Sequence, residues 1–153
     1  VTTSYATLRD KVITKLLGTG RFQAVNGHQP LSQPVGPASA SVWAGPIDVV
    51  PRRSGLDTVK YRLQLFVSVY VPLQDPLDVV EVMVVDTSLA ILDLVVTDFQ
   101  LDGAVDHVDL LGTYGEPVGS SLGYLRIDQH DYRTATITIP LILADTDDSD
   151  ETP

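Results

Sequence analysis

Gly119-Ser120-Ser121-Leu122-Gly123 fits the spacing G-x-S-x-G. In a hydrolase this spacing sets the middle serine on a strained turn between a strand and a helix, with its hydroxyl open to a base. Here Pro117 and Gly119 lead in, and a strand-like run follows in place of a helix. Asp128 and His130 lie downstream, too near in sequence to resemble the usual triad partners. Nucleophilic catalysis would need Ser121, His130 and an acid to converge. A Gly/Ser turn accounts for the same residues, so no catalytic residue is assigned and no enzyme is expected.

A second concentration of chemistry-bearing groups is Asp102, Asp106, His107, Asp109, Asp128, His130 and Asp131. Hard cations need several converging oxygens, and zinc would accept the histidines. Neither an EF-hand spacing nor H-E-x-x-H occurs, and there is no P-loop, dinucleotide fingerprint or RNA-binding aromatic motif. The chain has no cysteine, which removes disulfide scaffolds, thiolate metal sites and a Cys nucleophile. No metal or cofactor is expected.

The remaining candidates are contact residues. Trp43 is the single Trp and sits on a strand-like run, where core or interface is the ordinary role. Arg52-Arg53 is the one adjacent basic pair, suited to an exposed hairpin tip or to docking on an acidic partner. The tyrosines Tyr61, Tyr70, Tyr114, Tyr124 and Tyr132 are spread over several elements. They do not make the clustered platform of a carbohydrate-binding module.

The elements that position these residues follow from periodicity and capping. Residues 4–17 read as an amphipathic helix. Ser4 caps it, Tyr5, Leu8, Val12 and Leu16 form its stripe, and Gly18 fits the left-handed position after its end. Phe22 and Val25 start a short extended piece. Residues 26–41, with Pro30, Pro34 and Pro37, predict a long exposed loop without regular structure. Val42–Val50 is a strand kinked at Gly45-Pro46, and the Arg52-Arg53 turn joins it as a hairpin to residues 59–71. There Val59, Tyr61, Leu63, Leu65, Val67, Val69 and Val71 alternate with a mixed face.

Asp75-Pro76-Leu77-Asp78 starts a helix, with Asp75 as cap and Pro76 at the first helical position. It is expected to run to about Leu92, with Leu77, Val80, Val84 and Ile91 on its inner face. Its valines leave a strand over Val79–Val85 as the alternative. Residues 94–101 read as a strand, 104–112 as a weaker strand or bent loop, 113–119 as a turn region, and 123–128 as a strand. Residues 132–143 form a clear strand in which Pro140 requires an edge or a bulge. The last residues, 145–153, hold five acids and should be disordered. The expected fold class is α+β, a mainly antiparallel sheet with two helices on one face and a long β-hairpin. At 153 residues that makes one domain over 1–144 plus the acidic tail.

Apolar residues are 44% and charged residues 20%, with a formal net charge of −10. The charge is unevenly placed. Residues 1–75 hold eight Lys/Arg against four Asp/Glu (+4), and residues 76–153 hold two against sixteen (−14). An acidic total opposes nucleic-acid binding on the outer face, since that affinity comes from neutralising phosphates. The split would let a basic patch of one copy meet an acidic patch of another. No run reaches the roughly 18 apolar residues of a membrane span. Arg9, Asp10, Lys11 and Lys15 interrupt any signal-peptide core.

A capped N-terminal helix, a Gly-bounded Phe22, a hairpin with a long return strand, an Asp-Pro-started helix and a last strand Tyr132-Arg133-Thr134-Ala135-Thr136-Ile137-Thr138-Ile139-Pro140 occur in that order. This arrangement resembles the tail terminator proteins of long, non-contractile-tailed bacteriophages, particularly those of actinobacterial hosts. The resemblance spans roughly residues 4–144 and rests on element order and the last strand. It implies a hexameric ring of identical subunits on the head-proximal end of the tail tube. Such a ring ends tube polymerisation, presents a joining surface to the head-completion or connector protein, and lets DNA pass through its lumen without sequence-specific binding. It implies a place in the tail or neck of the virion, assembled in the host cytoplasm, with no membrane. The 26–41 loop and the acidic tail match no family motif. A head-completion or stopper protein of the neck is the alternative, and a small binding module or hydrolase a more distant one.

Overall fold

The computed structural model describes residues 4–30, 36–51, 59–97, 99–101 and 103–143. Their order is α1 (Tyr5–Leu17), β1 (Ala24–Asn26), β2 (Ser39–Pro51), β3 (Val59–Pro72), α2 (Leu77–Thr97), β4 (Val105–Val108), β5 (Gly119–Ile127) and β6 (His130–Leu143). The class is α+β, with two helices and a curled, mostly antiparallel six-stranded sheet. The sheet runs β1-β2-β3-β6-β4, and β5 also pairs with β6.

Local chemistry accounts for most of these elements. The Ser4 hydroxyl accepts from the Thr7 N–H at 3.3 Å and closes the first turn of α1. Gly18 ends that helix in the right-handed region, and Gly20 carries the positive φ instead, at 73°. The β2–β3 hairpin forms as expected, longer than expected at its start. Ser39, Ala40 and Ser41 are buried strand residues. The end of the expected 26–41 loop is therefore sheet, because Pro37 is the last proline before a run whose N–H groups are free to pair. The kink at Gly45-Pro46 is a bulge, the register shifting between Ala44 and Ile47.

Cross-strand rows build the core. Val42, Val67 and Ile137 stand side by side, as do Ala40, Val69 and Ala135; Leu65 pairs with Ile139 and Leu63 with Leu141. All are buried. Leu8, Val12 and Leu16 of α1 and Val80, Val84, Ile91 and Val95 of α2 close the same cluster. Each such side chain contributes about 1.5–3 kcal/mol by leaving water. α1 lies against β1 and β2, and α2 against β3 and β6. The opposite face is not simply solvated. Arg62, Ser68 and Tyr70 are buried there too, and the Ser68 and Thr136 hydroxyls bond at 2.8 Å.

Three expectations change. Helix α2 continues to Thr97, so 94–101 is not a strand and neither is Val79–Val85. The reason is periodic: Val95 extends the buried face of Val84 and Ile91 by one further turn. Leu77, placed on the inner face from sequence, is exposed at the start of α2. Pro76 precedes the helix, joined to Asp75 by a cis peptide bond.

Pro140 lies in an interior strand, opposite Gln64. Its carbonyl accepts from the Asp109 N–H at 2.9 Å. In a strand the N–H and C=O of one residue point the same way, so the missing N–H faces the side shared by β4 and β5. There β5 ends opposite Thr138 and β4 ends opposite Leu141. The proline fills the gap between them, and no ladder bond is lost.

Candidate assembly surface

Helix α2 is apolar on two sides. Its inner side carries Val80, Val84, Thr87, Ser88, Ile91 and Val95. On its outer side Val82, Val85, Leu89 and Val96 recur at steps of three, four and seven, and Leu92, packed against the core, borders them. This spacing is the seam of a helix that packs on a partner. Val82, Leu89 and Val96 are 57–59% exposed. A helix apolar on all sides is normally buried on all sides; this one is covered on one.

Charge frames the stripe. α2 carries Asp78, Glu81, Asp86 and Asp93 and no basic residue. Glu81 receives both arms of Arg133, at 2.9 and 3.2 Å, and this guanidinium holds its carboxyl below the usual range. Arg133 also lies 4.5 Å over the Tyr124 ring and donates to the Gly123 carbonyl at 3.0 Å. The Ser88 and Ser120 hydroxyls bond at 2.7 Å. These contacts hold β5 beside α2. Leu122 and Tyr124 face the helix side through their pairs Ala135 and Arg133, and are 45% and 70% exposed.

Helix α1 has the other sign. α1 carries Arg9, Lys11 and Lys15 against Asp10. Between the helices runs a groove of about 740 Å³, lined by Lys11, Thr14 and Lys15 on one side and Leu94 and Leu101 on the other. At the far end of the hairpin, Ile47 and Val49 of β2 and Tyr61 of β3 are exposed on the helix-side face, beyond the reach of either helix.

A buried ion pair anchors the loop after β4. Arg62 is 0% exposed; its Nε donates to Asp109 at 3.0 Å and its Nη2 to the Glu116 carbonyl. Asp109 also accepts from the Thr113 and Tyr114 N–H groups, at 2.8 and 3.0 Å. Burial alone would raise this carboxyl, but those two N–H groups and the guanidinium together hold it below the usual range. A Cβ at Gly115 would stand 2.7 Å from Arg62 Nη1, so glycine is required for this close approach.

The residues singled out from sequence are scattered. Trp43 is half-buried on the sheet face away from the helices, tilted against Phe66 at 5.8 Å. Arg52 and Arg53 lie outside the described residues, as do Asp102 and the 145–153 tail. Ser120 and Ser121 are strand residues of β5, where a turn is expected from sequence. Ser121 pairs with Thr136, whereas His130 sits at the other end of the β5–β6 hairpin, so the two do not meet. Asp106 pairs with Lys60 at 2.8 Å and with His107 at 3.1 Å, and Asp109 is held by Arg62. Among the described residues no three His, Asp or Glu side chains converge in a metal-holding group. No described helix is long and apolar enough to cross a membrane.

No family model matches the chain, and no curated protein matches it. Among solved structures, a sheath/tube terminator of an extracellular contractile injection system, PVC, in its extended state, is similar to it. The TM-score is 0.46 and the sequence identity 11%, over 100% of this chain and 61% of that one. The chain thus spans about three fifths of that structure's length.

The α2 stripe is the surface that the sequence reading passed over. Its signal was present as the surplus of Val and Leu on the helix. Reading one face of α2 as the core face leaves Val82, Val85, Leu89 and Val96 without a role.

Proposed function

We propose that this chain is a tail terminator of a long-tailed, non-contractile bacteriophage. In this reading copies of it close into a ring, hexameric by the resemblance, on the head-proximal end of the tail tube. The ring stops tube growth and offers a joining surface to the head-completion protein, and DNA passes through its lumen. The work is structural and uses no catalysis and no cofactor.

The sequence resemblance supplies the identity of the assembly. The observation that carries self-association is the outward face of α2, an apolar seam bordered by acids. A ring needs two different flanks that meet head to tail. Acidic α2, over β3 and β6, and the more basic α1, over β1 and β2, supply two unlike surfaces.

The test is the solution mass of the purified chain by light scattering, alone and with tail tubes, together with imaging of the tubes. A ring-sized species, or density at one tube end only, is expected. A chain that stays monomeric and ignores both tube ends would refute the proposal.

A further inference from the structure

The sheet has four strands with an open side, and three of them are blunted. β1 has three residues and β4 has four with a register shift. β2 carries the Gly45-Pro46 bulge and a second proline at Pro51. Short length, bulges and prolines are the usual devices that prevent edge pairing. β5 has none of them. It runs nine residues in unbroken register with β6, without proline or bulge and with Arg126 as its one charge. Among the described residues no strand pairs its outer side.

We propose that β5 is the joining edge between copies and that it receives the distal part of β2, Ile47–Val50, of the next copy. Taking the occupant to be another copy rests on the ring reading above. Three observations select this partner. Leu122 and Tyr124 on β5 and Ile47 and Val49 on β2 are exposed on the helix-side face at opposite edges of the sheet. Joining the edges therefore merges two uncovered apolar pairs into one strip. The stretch Ile47–Val50 follows the bulge and contains no proline, so its N–H groups that point away from β3 are available. Charge excludes the symmetric alternative. Two β5 edges meeting about a two-fold axis would bring two α2 helices together, each with four acids and no base. The β1–β2 edge brings α1 instead, with Arg9, Lys11 and Lys15 against Asp10; Arg9 lies on the β1 side, over Gly27, and the two lysines line the groove behind it.

The test uses the full chain, with tail tubes if the chain closes only on them. In the variant Leu122→Lys the side chain is exposed and takes no part in the Arg133 contacts, so circular dichroism and melting should match the parent while self-association weakens at least tenfold. Because the chain lacks cysteine, Ser121→Cys with Asp48→Cys in one chain can be joined by a short bifunctional thiol reagent. A ladder of covalent multimers is expected, and the single variants should give none. Unchanged assembly of the lysine variant, with the parent forming rings, would overturn the edge assignment and leave the ring standing. Covalent dimers from Ser121→Cys alone would overturn the choice of partner in favour of a two-fold pair. A parent chain that never assembles, with or without tubes, would remove both readings.

Discussion

Replacing Asp109 by alanine removes the acceptor for three donors at once: Arg62 Nε at 3.0 Å, Thr113 N–H at 2.8 Å and Tyr114 N–H at 3.0 Å. The guanidinium left behind is fully buried, and its Nη1 has no partner in the parent. It would keep only the Glu116 carbonyl. Breaking a buried pair from one side costs about 3–5 kcal/mol. For a chain of this size, at about 2–4 °C per kcal/mol, melting should fall by roughly 6–20 °C. Urea unfolding followed by Trp43 fluorescence should show a lower midpoint with an unchanged slope. Removing both charges, with Arg62→Met and Asp109→Leu together, should recover the part of the loss that comes from the unpaired guanidinium, while the Thr113 and Tyr114 N–H groups stay without their acceptor. The pH dependence has a definite sign. The Asp109 carboxyl is held low in the folded chain, so its contribution is complete above the unfolded value of about 3.9. It is lost as pH falls through the lower folded value. A loss under about 1 kcal/mol in Asp109→Ala would refute this reasoning and mean that water reaches the guanidinium.

Two further outcomes test the fold. Ile137, fully buried between Val67 and Ser120 in its row, should cost about 2–5 kcal/mol on change to alanine in a denaturant titration. Asp128 and Gln129 turn the β5–β6 hairpin at φ 52° and 62°, the geometry of a two-residue primed turn that favours glycine. Gln129→Gly should raise the melting temperature by roughly 2–4 °C, from about 1 kcal/mol of relieved backbone strain; a decrease would contradict the turn assignment.

The strands of the core were legible because period-two alternation in residues 59–71 and 132–143 leaves little choice of face. The cap at Ser4 and the hairpin were legible for equally local reasons. The boundary of α2 was not. Residues 94–101 alternate in part, and only packing against β3 and β6 decides that Val95 continues a helix. The Arg62–Asp109 pair was hidden because its partners stand 47 positions apart, and an arginine on a mixed strand face reads as solvated. Trp43 drew notice for its rarity, whereas the exposed stripe on α2 is built from common residues. What marks the stripe is exposure, which a sequence does not state.

Pro140 gives the outer side of β6 two separate berths, one for β5 and one for β4. The Asp109 N–H takes the Pro140 carbonyl in the gap between them, and the Val118 N–H, one residue before β5, takes the Leu110 carbonyl. The loop clamped by Arg62 thus leads straight into β5, with Glu116 three residues ahead of Gly119. A load applied along β5 therefore reaches the buried ion pair as well as β6: the arm that would take up a neighbour and the clamp are mechanically coupled.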